Sequence, residues 1–551
     1  MTLAEKFKHP YAFDPKYKKP VAYFCMEFAI DQALKIYSGG LGFLAGSHMR
    51  SAYDLKQNMV GIGILWKYGY YDQTRKGDQS MDSLFQEKFY SFLEDTGLMF
   101  DVDINNHPVK VKAYFLNPNT FGTVPMFFLS TDLPENDYLA RTTSHRLYDS
   151  DTSARVAQSI LLGAGGVRLL EKLGYEPETY HINEAHALPA AFYLYNKYKS
   201  LDAVKERLTF TTHTPEAAGN AKHDIRLLEK MNFFCHTPIE EVRNITGQEG
   251  EIFDHTLGAL RMARLANGVS RLHGKVARGM WAKHDNIAPI SSITNAQNGK
   301  YWQDKDLREA LHKKDDAGLV KRKKHLKSQL FHQVADQTGQ LFDPDILTIV
   351  WARRFAEYKR ADLITSIEDR FHSLITDKDR PIQVIWAGKP YPQDYGAIST
   401  FNKLVHLSQQ YKNCSVLVGY ELWLSKQLKK GADVWLNTPR VTREASGTSG
   451  MTAAMNGAVN LSTNDGWIPE FGKHGVNSFV VPYEDKFSSQ HEQDRHEAGQ
   501  LLDLLENEVI PTYYDTPDKW TNIVKSSMED IFPYFDSGRM AIEYYDKLYL
   551  S

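Results

Sequence analysis

The chain predicts an α/β fold of two Rossmann-like domains, on three observations. Short apolar runs alternate with helix-length segments through the first three hundred or so residues, the pattern of a parallel, doubly wound sheet. The alternation breaks in a charged, helix-rich stretch from Asn298 to about Asp343, which includes Lys321-Arg-Lys-Lys-His-Leu-Lys327. A second series of apolar runs starts at Ile346. The domain crossing is placed in the charged stretch, giving domains 1–297 and 298–551; whether the terminal helices return to the first domain stays open. Ligands of such folds sit at the carboxyl ends of the strands, so an interdomain cleft is the expected place for an active site.

Pro20-Val-Ala-Tyr-Phe-Cys25 reads as the first strand and leads to a glycine-rich turn, Tyr37-Ser-Gly-Gly-Leu-Gly42. A helix is predicted over 43–55, where apolar residues recur at helical spacing. Met59-Val-Gly-Ile-Gly-Ile-Leu-Trp66 is a short apolar run that reads as a buried strand. From Leu98 to Phe128 apolar and polar residues alternate around Asn-His-Pro and Pro-Asn turns, which predicts an antiparallel excursion. A long helical segment, 151–173, precedes the strand-like Thr179-Tyr-His-Ile-Asn183 and Leu208-Thr-Phe-Thr-Thr212. In the second domain the strands are predicted at Ile346–Val350, Ile382–Trp386, Ser415–Val418 and Asp433–Leu436, and charged helical sequence closes the chain. No repeat of fixed period and no low-complexity tract is visible.

At 42% hydrophobic and 24% charged residues, wholesale disorder is excluded. A net charge of −3 gives no support for nucleic acid or an anionic membrane as partner. Met1-Thr-Leu-Ala-Glu-Lys-Phe-Lys-His-Pro10 is too polar for a secretion signal, and no apolar run approaches the roughly eighteen residues of a membrane span. Cys25, Cys235 and Cys414 lie far apart, which points to reduced thiols and a cytoplasmic setting. Aromatic residues make up 12% of the chain; carbohydrate sites and ordinary cores both use such rings, so the count does not separate them.

The densest motif is Glu444-Ala-Ser-Gly-Thr-Ser-Gly-Met-Thr452, between the β-prone Ala432-Asp-Val-Trp-Leu-Asn437 and the small residues 453–458. A strand–loop–helix corner of this kind turns backbone N–H groups toward an anion or sugar hydroxyls. Trp351-Ala-Arg-Arg-Phe-Ala-Glu-Tyr-Lys-Arg360 follows a predicted strand and concentrates four cations, Arg353, Arg354, Lys359 and Arg360. Such a run suits a dianionic phosphate or forms a solvated helix face; its place at a strand end favours the phosphate. Gly39-Gly-Leu-Gly42 lets the backbone approach a ligand or simply shapes a turn. His213, at the end of Phe210-Thr-Thr-His-Thr-Pro215, is either a core histidine or one that meets a sugar hydroxyl or carries a proton. Asn295 in Ile293-Thr-Asn-Ala-Gln297 forms a turn or binds a hydroxyl. His181 and His186 match no zinc spacing, so no metal site is assigned. Asp465-Gly-Trp467 shapes a cleft wall. A Ser-His-Asp nucleophile motif, a Walker loop and a CxxC pair are all absent.

Six segments resemble, in the same order, the α-glucan (glycogen and starch) phosphorylase family, especially its short bacterial branch: Tyr37–Gly42, His181–His186, Thr211–Pro215, Ile293–Asn295, Arg353–Arg360 and Glu444–Met451. The resemblance implies the GT-B fold and reversible phosphorolysis of an α-1,4-glucan end to glucose 1-phosphate with retained configuration. It implies that Gly39, Gly40, Leu41 and Gly42 bring N–H groups toward the phosphates, that His213 meets the glucosyl unit, and that Asn295 and Tyr358 meet sugar hydroxyls. Arg354 and Lys359 would bind substrate phosphate, with Arg353 and Thr448 beside the phosphate of the family's cofactor, pyridoxal phosphate. Glu444, Ser446 and Gly447 would complete the sugar pocket. Family members are often dimers, although no dimer patch is recognisable here.

Three positions depart from the family pattern. The lysine that forms a Schiff base with pyridoxal phosphate is Thr452 here, so the cofactor is absent or held noncovalently unless another lysine substitutes. Ala296 replaces a glycine, and His48 stands where the short branch typically has an aspartate. Two further readings remain beside the phosphorylase: a pyridoxal-free GT-B glucosyltransferase with a sugar-nucleotide or sugar-phosphate donor, and a catalytically silent glucan-binding relative. Sugar-nucleotide enzymes of this fold commonly grip the ribose with a second glutamate eight residues after the first, and that position is again Thr452.

Overall fold

A computed structural model describes residues 6–551; Met1–Glu5, the start of the segment read as too polar for a signal, lies outside the described residues. The chain forms two compact units. Among the described residues one comprises 6–71, 85–298 and 537–551, the other 72–84 and 299–536. The chain thus crosses between units at 71/72, 84/85, 298/299 and 536/537, whereas the sequence alone suggests a crossing near 298 and leaves open a return of the terminal helices.

The main sheet of the first unit has nine strands: β1 (Val21–Phe24), β2 (Met59–Ile64), β3 (Leu93–Ile104), β4 (His107–Leu116), β5 (Met126–Ser130), β6 (Thr179–Asn183), β7 (Leu208–Thr211), β8 (Leu265–Gly268) and β9 (Ile290–Ser292). They form one sheet in the order β9-β8-β7-β6-β1-β2-β5-β4-β3. It is parallel from β9 to β5. The antiparallel excursion is β4 and β3 on the edge beyond β5. The helix expected at 43 begins earlier: α1 spans Gly40–Asp54, so the glycines form its first turn.

Ser537–Ser551 completes this unit. Tyr549 shares a hydrogen bond of 2.5 Å with His181 Nδ1, and Tyr544 stacks on His48 with ring centroids 5.0 Å apart. His48 is 1% exposed. A buried aspartate in that aromatic setting would be an unpaired charge, whereas a neutral imidazole packs.

The second unit contains β10 (Leu347–Ala352), β11 (Ile382–Ala387), β12 (Cys414–Leu417), β13 (Val434–Asn437), β14 (Val459–Thr463) and β15 (Ser478–Val481). The order is β12-β11-β10-β13-β14-β15, parallel throughout. Alternation along β10 explains its uniformly apolar sequence. Leu347, Ile349 and Trp351 enter one apolar cluster, and Val350 and Ala352 enter another on the opposite face. A parallel strand covered on both sides has no polar face to show. The helices used below are α2 (Asp316–Thr338), α3 (Leu422–Gly431) and α4 (Thr448–Ala454). Among the described residues no helix is long and apolar enough to cross a membrane.

Residues 72–84 join this unit through polar contacts. Gln73 donates to the Gly388 carbonyl (2.8 Å) and accepts from Gly419 N (3.1 Å), and Met81 N donates to Asn402 (2.9 Å).

The first unit carries many neutral buried imidazoles. Burial pushes His48, His213 and His255 down to about 3, and His9, His186 and His273 to about 4. A free histidine titrates near ~6.5, so below that pH the unfolded chain takes up protons that the folded unit refuses, and stability falls with pH. Amide hydrogen exchange in the first unit is therefore expected to quicken from pH 7 to pH 5 after correction for intrinsic rates. Unchanged protection there would contradict the neutral assignment.

Candidate functional site

The strand order of the second unit reverses direction between β10 and β13, and chain leaving the carboxyl ends of those two strands must splay apart. That switch point is where ligands of doubly wound sheets bind. Arg353, Arg354, Tyr358 and Lys359 follow β10, and Glu444, Ser446, Gly447 and Thr448 follow β13.

Glu444 organises the corner. Arg353 Nη2 lies 3.0 Å and Lys359 Nζ 2.8 Å from the same oxygen, Oε2. The three side chains are 7%, 9% and 11% exposed, in the order Arg353, Lys359, Glu444. Because one oxygen takes both cations, Oε1 keeps its lone pairs for another donor. Burial alone would raise the Glu444 pKa; the charges of Lys359 and Arg353 outweigh it and bring the group down to about 2. Arg354 is exposed, yet its charge also reaches Glu444. Tyr358 lies under Lys359, with Nζ 5.0 Å from its ring centre.

This corner retains unused hydrogen-bonding capacity. Arg353 Nε and Nη1 are buried without a protein partner, as are Ser446 Oγ and Ser449 Oγ. An orphaned buried guanidinium donor is costly unless a ligand takes it. A Cβ on Gly447 would sit 3.6 Å from Arg353 Nη2, and its φ is +89°, so glycine keeps that approach open and supplies the left-handed backbone. Thr448 opens α4 and is 9% exposed.

Asp465, read in the sequence only as part of a cleft wall, is a structural member of the site. Its Oδ2 accepts from Glu444 N (2.9 Å) and its Oδ1 from Gly466 N (2.8 Å). Gly466 has φ +60°, and a Cβ there would lie 2.2 Å from the Ser446 carbonyl. Burial raises Asp465 to about 7, against its two backbone hydrogen bonds.

Thr452 is 1% exposed and donates to the Ser449 carbonyl (3.0 Å). Its own carbonyl accepts from Asn456 Nδ2 (2.8 Å).

In the first unit the sequence-selected residues lie at strand carboxyl ends. Gly39 N (3.1 Å), Ser38 N (2.6 Å) and the Ser38 hydroxyl all donate to the carboxylate of Glu27, which also accepts from Tyr148 OH (2.8 Å). Gly40 is exposed and Leu41 half-buried. Cys25 Sγ donates to the Glu27 carbonyl (3.1 Å), Asn183 Nδ2 to Cys25 Sγ (3.3 Å), and His213 Nε2 lies 2.7 Å from Asn183 Oδ1. A chain of contacts therefore links Gly39 to His213. An amide oxygen only accepts, so Nε2 carries the ring proton. Burial pushes His213 down to about 3, so its resting form at neutral pH is the neutral ring.

Glu184 accepts from His213 N and Thr214 Oγ1 and adopts φ +71°. Asn295 is 3% exposed with Oδ1 unpartnered. Sequence reasoning did not single out Glu27, Glu184 or Asn183; the available signal was a lone carboxylate at the end of an apolar strand.

A cavity of about 610 Å³ in the second unit, lined by Phe355, Arg360, Asp362, Arg440 and Asp494 among others, lies beside the corner. Two of its arginines are already paired, Arg360 with Asp494 and Glu497, and Arg440 with Asp494 and Glu357.

Two stability measurements probe the corner. Glu444→Ala leaves two buried cations unpaired and is expected to cost about 3–5 kcal/mol by denaturant unfolding, with part regained in Glu444→Ala/Lys359→Met. A cost below 1 kcal/mol would contradict the buried triad. Asp465 in the folded state holds a proton that the unfolded chain releases near ~4. Its contribution to stability therefore declines as pH rises from about 4 to 7, and Asp465→Asn is expected to remove that decline.

The sequence profile of the family described as carbohydrate phosphorylase matches residues 256–480. An uncharacterised protein of Methanocaldococcus jannaschii is 46% identical over 96% of this chain and 100% of its own length. The maltodextrin phosphorylase of Thermococcus litoralis is 36% identical, over 97% of this chain and 71% of the relative. A glycogen phosphorylase of Mycobacterium tuberculosis is 32% identical, over 96% of this chain and 70% of the relative. With such identity along nearly its whole length, the chain belongs to the carbohydrate phosphorylase family.

Proposed function

We propose that the protein is a retaining α-glucosyltransferase of phosphorylase type, converting an α-1,4-glucan end and inorganic phosphate to glucose 1-phosphate and the shortened glucan, reversibly. The observation that carries this reading is the buried corner of Arg353, Lys359 and Glu444 with spare guanidinium donors. In phosphorolysis a phosphate oxygen bonds to the anomeric carbon, that carbon's bond to the glycosidic oxygen breaks, and the departing oxygen takes the proton that the hydrogen phosphate gives up. Lys359 and Arg354 hold the phosphate and its charge; cations fixed before the reaction need no reorganisation as charge moves.

On the first unit, Asn295 Oδ1 accepts from a sugar hydroxyl. His213 stands near the glucosyl unit as a neutral ring. Positive charge develops at the anomeric carbon, and a protonated imidazole beside it would oppose that development. The depressed pKa of His213 suits this task.

Pyridoxal phosphate, which the family normally uses, fits at one end. Arg353 Nε and Nη1 with Ser446 and Ser449 Oγ are the groups that would hold its phosphate. When bound it would supply that phosphate group to the site. Thr452 offers no amine, and its hydroxyl is turned onto Ser449 O, so attachment at 452 is excluded and uptake is noncovalent there. A sugar-nucleotide donor fares worse, because Thr452 also stands where its ribose-binding carboxylate belongs. A silent glucan-binding protein would gain nothing from keeping orphaned buried donors, which are destabilising.

Incubation of the purified chain with glycogen and phosphate, with and without added pyridoxal phosphate, is expected to release glucose 1-phosphate. Arg354→Ala is expected to lower kcat/KM by about 10- to 100-fold as one phosphate contact is lost. No glucose 1-phosphate in either condition would overturn the reading. Thr452→Lys is expected to give the chain pyridoxal absorbance; no change would mean that the pocket differs from the family's at more than this residue.

A further inference from the structure

The cavity of about 610 Å³ in the second unit is lined by none of the side chains assigned to the phosphate corner. Its size falls in the range of roughly 300–1,000 Å³ usual for small-molecule sites. One wall is the segment that leaves the corner, through Phe355 and Arg360. The others come from the helix Tyr395–Gln410, through Ala397 and Thr400, and the helix Gln490–Leu504, through Asp494.

The charges on this lining balance, with Arg360, Arg440 and Arg495 against Glu357, Asp362 and Asp494. Each carboxylate already meets a cation. Asp494 takes Arg360 (2.8 Å) and Arg440 (2.7 Å), Glu357 takes Arg440 (3.0 Å), and Asp362 takes Lys403 (3.4 Å). Burial would raise Asp494, but the two arginines outweigh it and hold the carboxyl below its usual range. An anionic ligand would have to draw Arg360 or Arg440 away from Asp494, and a cationic one would have to draw Asp494 away from them. Either exchange leaves a charge in a poorly solvated place short of its partner. Arg495 is exposed, and a single surface cation adds little. A wholly apolar ligand would strip water from these charges and give no hydrogen bond in return.

The paired groups nevertheless keep hydrogen-bonding capacity. Arg360 commits Nε to Thr438 O (2.8 Å), Nη2 to Pro439 O (3.1 Å) and Glu497, and one N–H of Nη1 to Asp494 Oδ1. The second N–H of Nη1 is left over. Arg440 commits Nε and one N–H of Nη2 to Asp494, and one N–H of Nη1 to Glu357, so each terminal nitrogen retains an N–H. Asp494 Oδ1 accepts from both arginines, whereas Oδ2 accepts from Arg440 alone and keeps a lone pair. Spare donors and a spare acceptor therefore share one ion-paired frame, and Phe355, Ala361 and Ala397 supply apolar wall.

A neutral ligand that donates and accepts at neighbouring positions and also carries C–H surface suits that combination, and a pyranose with vicinal hydroxyls is such a ligand. We propose that this cavity is a sugar-binding site that performs no chemistry, with Arg360 and Arg440 donating to ring hydroxyls and Asp494 accepting from one. A free hexose and a glucan chain share the chemistry. Arg440 N also donates to Tyr358 O (2.8 Å), so a bound sugar braces the stretch that carries Tyr358 and Lys359. The inference does not depend on the phosphorylase reading.

The test is hydrogen exchange of the full chain read by mass spectrometry, with glucose and with maltoheptaose as separate probes. Sugar is expected to slow exchange by about threefold or more in peptides covering 355–367 and 490–497, and the probe that does so tells a free hexose from a glucan chain. Thr400→Trp fills the cavity from a half-buried helix position and leaves the ion pairs in place. In that variant the slowing is expected to disappear. Ser366→Trp, at an exposed lining residue, takes its place should Thr400→Trp not fold. No slowing with either sugar, or slowing that survives the filled cavity, would overturn the proposal. Slowing lost in the filled variant, in a protein that makes no glucose 1-phosphate, would uphold this site and refute only the phosphorylase reading.

Discussion

A single carboxylate oxygen, Glu444 Oε2, meets two cations almost out of contact with water. Three charges in so dry a place are tolerable only when each has its partner in position, and much of the local sequence follows from that constraint. Asp465 fixes the Glu444 backbone by accepting from its N–H. Gly466 and Gly447 supply positive φ where the chain must fold back close to Ser446 O and Arg353. The parallel strands β10 and β13 present the cations and the carboxylate from adjacent edges of the switch point. A net positive corner with spare donors is what remains, and the phosphate reading rests on it.

The first unit handles charge in the opposite way. Its strand ends carry buried carboxylates, Glu27 and Glu184, satisfied by backbone N–H groups and hydroxyls, and imidazoles kept neutral by burial. Such a surface offers polar contacts without a fixed cation. The same residues serve the loops themselves: Glu27 sets the turn that starts α1, and Glu184 holds the backbone of His213.

Much of this was legible in the sequence, and the exceptions have a common cause. The strands of both sheets announced themselves as apolar runs, because a parallel strand buried on both faces tolerates little else. Arg353 to Lys359 and Glu444 to Thr448 stood out as clusters at strand ends, and the structure brings them to one corner. Residues 72–84 were not placed and the return of 537–551 was left open, because what assigns them to their units is hydrogen bonding to partners hundreds of residues away, such as Gln73 to Gly388 and Tyr549 to His181. Periodicity carries no trace of those pairings. Glu27 and Glu184 were missed for a related reason: a lone carboxylate looks the same in sequence whether it caps a loop or faces solvent. The early start of α1 reflects the same blindness, since Gly40 and Gly42 are poor helix formers by propensity and are drawn into the helix by packing. A Cβ on Gly42 would lie 2.7 Å from Glu27 Oε2.

Phosphate capture by the β10–β13 corner is the claim on which the account stands. Isothermal titration of inorganic phosphate into the full chain, wild type against Lys359→Met, tests it most directly, since the variant leaves Arg353 paired with Glu444. The account predicts saturable binding by the wild type and at least tenfold weaker binding by the variant. Equal affinity in the two proteins would contradict it.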